Sequence, residues 1–204
     1  TPIPRTLALI IYGDLDISVL DELPPGRQTI ETYAISSRKR ARALQYIRTH
    51  LDAGQQAYII CPLVEESTND MASVVQYANA LQTETFPDKV IGILHGKMKP
   101  KEKDTVMTAF AKGEIDVLVS TTVVEVGVDV PNAVIILIEN AERYGLSQLH
   151  QLRGRVGRGG TESGAFLISR APEGSDAAKR LDVIAGTLDG AEIAQADLEF
   201  RGAG

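Results

Sequence analysis

Short apolar runs alternate along this chain with segments whose apolar residues recur every three or four positions. The runs occupy residues 58–61, 90–94, 117–119, 134–138 and 165–168, and a less regular one precedes them at 29–35. A strand that is apolar at every position is buried on both faces, and helices between such strands supply the cover. The sequence therefore predicts an α/β fold, with a parallel sheet, helices on both faces and right-handed crossovers.

The segments between the runs carry signals for the beginning and end of helices. One helix is predicted to begin at an N-cap of Ser36 or Ser37 and to stop at Gly54. Another is predicted from Pro100 to Gly113, because proline suits the first helical turn and glycine the residue after a helix. A further amphipathic helix is expected over residues 71–81.

The character of the sequence changes after Pro172. Residues 176–184 and 191–200 have helical periodicity and are joined at Asp189-Gly190, so a C-terminal helical hairpin is predicted. We expect three parts: a connector at 1–27, an α/β lobe at 28–171 and the hairpin at 172–204. The chain opens with Thr1-Pro-Ile-Pro and closes without a helix cap, so we expect a fragment of a longer protein.

Composition narrows the class of protein. The 204 residues are 44% hydrophobic and 24% charged, a globular balance, and the net charge of −6 argues against general polyanion binding. Cys61 stands alone in an apolar run and is expected to be a reduced core thiol. The three histidines are far apart, so no metal site is expected. Without a membrane-length apolar run or a secretory signal, we expect a cytoplasmic protein.

Three arginines separated by glycines follow the run at 134–138, in the segment Gln151-Leu-Arg-Gly-Arg-Val-Gly-Arg. Guanidinium groups bind phosphate oxygens with paired hydrogen bonds, and a helical turn would point Arg155 and Arg158 the same way. Taken alone, the segment is more simply a solvated basic turn. Ligands of parallel sheets gather outside the C-terminal strand ends. We expect His95-Gly96, residues 120–122 and the arginine segment to lie along that one edge.

A phosphate cradle is missing from the sequence. Residues 92–98 are the nearest match to the phosphate-binding loop. They have one residue too few between the two glycines, and Met98 stands where the loop needs a Ser or Thr hydroxyl. A strand-end carboxylate for magnesium is also missing unless Glu139 serves, although a lone glutamate after a strand is usually solvated. Arginines without a cradle suggest an arginine finger, which acts on a nucleotide held by a second lobe.

Two motifs carry a resemblance to superfamily 2 helicases. Gln151-x-x-Gly-Arg-x-x-Arg158 resembles their sixth motif, and Ser120-Thr-Thr-x-x-Glu-x-Gly-x-Asp-x-Pro131 resembles the fifth. Residues 140–158 narrow the likeness to RecG-like and transcription-repair coupling translocases, and residues 13–27 and 197–202 favour the RecG-like family. Residues 1–5 resemble the tail of the third motif. The resemblance covers essentially the whole chain.

The resemblance implies the second RecA-like motor lobe of an ATP-dependent double-stranded DNA helicase. Such enzymes remodel stalled forks and Holliday junctions in recombination and repair. It implies that ATP and Mg²⁺ are held mainly by a first lobe. The implied partners are double-stranded and branched DNA and the first lobe and wedge domain of the same polypeptide, in a cytoplasmic, nucleoid-associated setting. The fragment alone is expected to be inactive, and a transcription-repair coupling lobe is the alternative.

The resemblance also assigns roles to single residues. The residues expected to contact the γ-phosphate are Arg155 and Arg158, and those expected to bind the nucleotide are Gly127, Asp129 and Gln151. The residues expected to bind DNA phosphates are His95, Gly96, Thr121 and Thr122. Those expected to couple ATP hydrolysis to translocation are Arg180 and Arg201. The family has a proline where this chain has Ala203.

Each role has a simpler interpretation. The threonines could be N-caps, Asp129 and Gly96 could shape turns, and His95 could pack at a strand end. Arg180 and Arg201 could be exposed helix charges, and Arg153 could bind the Glu142 carboxylate. Two other classes of function stay open: a self-contained nucleotide-binding or phosphotransfer enzyme, and a non-catalytic module whose arginines bind an acidic protein.

Overall fold

A computed structural model describes residues 29–61, 70–121 and 128–202. Within these ranges six strands form one sheet in which every neighbouring pair is parallel, in the order β1-β6-β5-β2-β4-β3. The strands are β1 (Ile30–Ser36), β2 (Gln56–Ile60), β3 (Ile91–Leu94), β4 (Val117–Ser120), β5 (Ala133–Ile138) and β6 (Ser163–Ser169). The helices are α1 (Arg40–Asp52), α2 (Asp70–Ala80), α3 (Pro100–Ala111), α4 (Leu146–Arg153), α5 (Asp176–Gly186) and α6 (Gly190–Gly202).

Both faces of the sheet are covered, as the unbroken apolar runs predict. Alternate residues of β2 belong to two separate cores: Ala57 and Ile59 pack in one, Tyr58 and Ile60 in the other. The first core includes residues of α1 and α2, and the second includes residues of α3, α4, α5 and α6. Every residue of β4 and β5 is buried, which confirms the parallel α/β architecture.

The predicted helix boundaries are confirmed at several points. Ser36 is the N-cap residue of a short 3₁₀ turn at Ser37–Lys39, since its hydroxyl accepts from the Arg38 N–H, and α1 follows directly with Lys39 as its own N-cap residue. Pro100 is the first residue of α3. Gly54 and Gly113 follow their helices with φ angles of 82° and 79°, a conformation that glycine adopts without strain.

The C-terminal hairpin of α5 and α6 packs on the lobe rather than apart from it. Leu181 and Ile184 of α5 and Ile193 of α6 are buried in the same core as α4. The Asp189 carboxylate accepts from the Ala191 N–H at 2.8 Å just before α6, which fits the predicted junction. The predicted connector at 1–27 lies outside the described residues. Within the described ranges, no helix is both long and apolar enough to span a membrane.

Candidate functional site

Helix α4 carries the chain from the C-terminal ends of the strands back to their N-terminal ends. Its buried leucines, 146, 149 and 152, hold it against the sheet, and the helix ends at Arg153. Arg155 and Arg158 therefore lie beyond the helix, and Gly157 with a φ of 80° separates them. The expectation that one helical turn aligns Arg155 and Arg158 is wrong, because glycine breaks the helix first.

Arg158 contacts Asp129 across the two loops that precede β5 and β6. Its Nη1 forms an ion pair with Asp129 Oδ1, and its Nε donates to the Gly154 carbonyl at 3.2 Å. Arg158 and Asp129 are both exposed. An exposed ion pair contributes about 0–1 kcal/mol, so an anionic ligand can displace the carboxylate at low cost.

Arg155 lies on the same side of the lobe as Arg158. It is half-buried, and so is Gln151 at the last turn of α4. Burial raises the pKa of the Tyr58 phenol to about 12, while the positive charges of Arg155 and Arg158 act in the opposite direction. The charges of Arg155, Arg158 and Asp129 therefore all lie within electrostatic reach of this one phenol.

The candidate residues occupy two opposite edges of the sheet. Asp129 and Arg158 come just before β5 and β6, whereas His95 and Thr121 come just after β3 and β4. A four-residue strand separates such edges by on the order of 13 Å. The expectation of one common edge, and of one cleft shared by Arg158 and Thr121, is wrong because α4 returns the chain past the whole sheet. We call the two regions the N-terminal edge and the C-terminal edge.

At the C-terminal edge the tips of β3 and β4 adjoin. The Thr121 N–H donates to the Leu94 carbonyl at 3.3 Å, and the Thr121 side chain is buried. His95 is half-buried, and its backbone N–H contacts Met98 Sδ at 3.4 Å. Gly96 is exposed, with open space where a Cβ would lie. The candidate residues Thr122 and Gly127 lie outside the described residues.

Glu139 is neither solvated nor open to a magnesium ion. It is 8% exposed and accepts hydrogen bonds from Arg40 Nε and, at 2.8 Å, from the Tyr77 hydroxyl. Arg40 Nη2 also donates to the Tyr77 oxygen at 2.9 Å. The expectation that Glu139 is solvated is wrong, since α1 and α2 bring these partners over the end of β5. Burial raises the pKa of the nearby Cys61 thiol, as expected of a core cysteine.

Arg153 does not bind Glu142, and that prediction is wrong. Its side chain is 1% exposed, and Nη1 donates to the carbonyls of Ile184 at 2.5 Å and Thr187 at 2.8 Å. Nη2 lies 2.9 Å from His150 Nδ1. The last carbonyls of a helix have no partner inside it and attract a cation. Arg153 therefore stabilises the end of α5, a role without a local signal in the sequence.

The two hairpin arginines differ in their surroundings. Arg180 is half-buried and its Nη2 donates to the carbonyls of Glu142 at 2.9 Å and Tyr144 at 3.1 Å, so it is not an exposed helix charge. Arg201 is 71% exposed and pairs with Asp197 one turn earlier at 3.0 Å. Arg180 thus joins α5 to the loop that leads into α4, whereas Arg201 has the contacts of a surface charge.

Gly159 makes the closest approach between the loops at the N-terminal edge. A Cβ built on it would lie 2.4 Å from the Pro131 carbonyl oxygen. We expect Gly159→Ala to cost about 1–3 kcal/mol, because backbone atoms must move apart. The measurement is hydrogen exchange, which should become faster at the amides of residues 128–130, 132 and 154–160. Gly186→Ala, where a Cβ meets nothing within 4 Å, is the matched control. Equal exchange in both variants would contradict the close approach.

Residues 38–160 match the family described as the helicase conserved C-terminal domain. This chain belongs to that family. Over its whole length the chain is 50% identical to the ATP-dependent DNA helicase RecG of Synechocystis, of which it covers 24%. It is 51% identical to the RecG protein of Pasteurella multocida, covering 30%. The chain thus spans less than a third of these curated relatives.

A solved structure supports the same relationship. The match to the structure of RecG bound to three-way DNA junction covers 100% of this chain and 26% of that chain, at 46% identity and with a TM-score of 0.82. The RecA-like fold implied by the sequence motifs is therefore confirmed. The roles of single residues in the helicase C-terminal domain stay predictions.

Proposed function

We propose that this chain is the second motor lobe of an ATP-dependent helicase that translocates on double-stranded DNA and remodels branched DNA in recombination and repair. The observation that carries the proposal is the contact between Arg158 and Asp129, which joins the loops of the fifth and sixth motifs at one exposed edge. The relationship to RecG proteins, one of them bound to a three-way DNA junction, gives the substrate class.

ATP binds at the N-terminal edge, between this lobe and another part of the longer polypeptide. The sequence has no phosphate cradle, so the other part holds the phosphates and Arg158 approaches the γ-phosphate, with Arg155 beside it. Asp129 then exchanges its ion pair with Arg158 for the ribose hydroxyls. The described residues include no cluster of three or more metal ligands. Glu139 is already paired with Arg40 and Tyr77, and we assign Mg²⁺, like the phosphates, mainly to that other part of the polypeptide.

DNA phosphates bind at the C-terminal edge. Gly96 is exposed beside the adjoining tips of β3 and β4, and no Cβ blocks the approach of a phosphate to its backbone. Contacts between backbone and phosphate do not read bases. Separate edges allow one lobe to hold the nucleotide and the DNA at the same time. Arg180 links the loop before α4 to the hairpin, so a movement of α4 on ATP hydrolysis also moves α5.

The proposal is tested with the full-length polypeptide and a phosphate-release assay. We expect ATP hydrolysis that DNA stimulates, more strongly with a three-way junction than with linear duplex of the same length. The isolated chain is expected to show no turnover, because it lacks the phosphate cradle. ATP hydrolysis by the isolated chain would instead favour a self-contained enzyme. If DNA does not stimulate ATP hydrolysis by the full-length polypeptide, the result would favour the interaction module.

A further inference from the structure

The segment after β3 concentrates positive charge at the C-terminal edge. Four lysines fall within seven residues of a chain whose net charge is −6: Lys97, Lys99, Lys101 and Lys103, which we call the lysine patch. The first three are exposed and the fourth is half-buried. The ion pairs of the described part of the chain include none of these four. The patch therefore presents its charge to solution.

Three of these lysines lie at the N-terminal end of α3, where positive charge lowers the stability of the helix. Lys99 is the N-cap residue, and Lys101 and Lys103 follow within the first turns. The N-terminus of a helix carries partial positive charge, so a cation there costs about 0.3–1 kcal/mol. Glu102 offsets part of this cost by accepting the Lys99 backbone N–H at 2.8 Å. The fold offsets this cost only in part, and residues that break a local rule are expected at functional sites.

The position of the patch identifies the ligand. It continues directly from His95 and Gly96, and the Thr121 N–H bond to Leu94 places the tip of β4 beside it. Lysine ammonium groups are mobile point charges that neutralise phosphate without reading sequence. We propose that the lysine patch binds the phosphate backbone of duplex DNA, widening the contact made by the tips of β3 and β4. This inference rests on the proposed function and adds residues which that proposal does not include.

The test uses the full-length polypeptide carrying Lys97→Gln, Lys99→Gln and Lys101→Gln together. The probe is a linear duplex titrated at several salt concentrations, with affinity read by fluorescence anisotropy. Each lost phosphate contact lowers the slope of log K against log[salt] by about 0.9, so we expect a slope smaller by up to about 3. Affinity at about 0.1 M salt is expected to fall on the order of tenfold or more.

Lys112→Gln is the matched control, since Lys112 is exposed at the opposite end of α3. It should leave affinity and slope as in the unaltered protein. The triple variant should melt no lower than the unaltered protein, which excludes misfolding as the cause of weaker binding. Unchanged DNA affinity in the triple variant would overturn the assignment and favour an acidic protein as ligand. Weaker binding with an unchanged slope would overturn it too. Either failure is distinguishable from failure of the proposed function, in which DNA would not stimulate the unaltered enzyme.

Discussion

Arg158→Ala in the full-length polypeptide is expected to lower the rate of DNA-stimulated ATP hydrolysis by on the order of 10³-fold or more. An arginine that reaches the transferred phosphoryl group from a second lobe stabilises charge that develops only in the transition state. The loss should therefore appear in kcat, with ATP binding reduced much less. The measurement is phosphate release under saturating DNA, together with ATP affinity from a fluorescent analogue.

The fold should survive this substitution. Arg158 is exposed, and its ion pair with Asp129 is a surface pair worth about 0–1 kcal/mol. Arg158→Lys separates charge from geometry, because lysine keeps the positive charge but loses the planar pair of donors; we expect it to recover only a small part of the rate. Arg143→Ala, an exposed arginine at the other edge, is the control. Full ATPase activity in Arg158→Ala would exclude the arginine finger and favour binding of an acidic protein.

The fold was accessible from the sequence because its determinants are local. Burial on both faces makes strands such as β5 apolar at every position, and that pattern can be recognised without knowing which strands pair with them. The ends of helices are also determined locally, because Gly54 and Gly113 adopt positive φ angles that other residues avoid. The motif residues Arg158 and Asp129 were also found, and they contact each other.

The rest depended on contacts between distant parts of the chain. Glu139 looked like a lone solvated carboxylate, but its partner Arg40 is 99 positions away and reaches it only once α1 packs on the sheet. Arg153 and Arg155 are only two positions apart, yet the docking of α5 buries the first and leaves the second half-buried. The two-edge arrangement depends on the direction of α4, which returns the chain to the N-terminal ends of the strands before the arginine segment begins.

Arg153→Met is expected to lower the local stability of the hairpin by about 2–4 kcal/mol. Methionine keeps most of the aliphatic volume but leaves the Ile184 and Thr187 carbonyls without the donor that they have inside the fold. An unsatisfied buried polar group costs about 1–3 kcal/mol. The ion pairs of the described residues include none with Arg153, and burial lowers its pKa only to about 10, so it is charged at neutral pH. Its charge is therefore offset by helix-end carbonyls rather than by a carboxylate.

The effect should be local before it is global. Since Arg153 holds the end of α5 against α4, its loss frees α5 and α6 while the sheet keeps its own core. We expect amides of α5 and α6 in the full-length polypeptide to exchange about 30-fold faster or more, with those of β4 and β5 little changed. Arg143→Met replaces an exposed arginine and should change stability by no more than about 0.5 kcal/mol. Unchanged exchange in α5 would mean that apolar packing by Leu181 and Ile184 alone holds the hairpin.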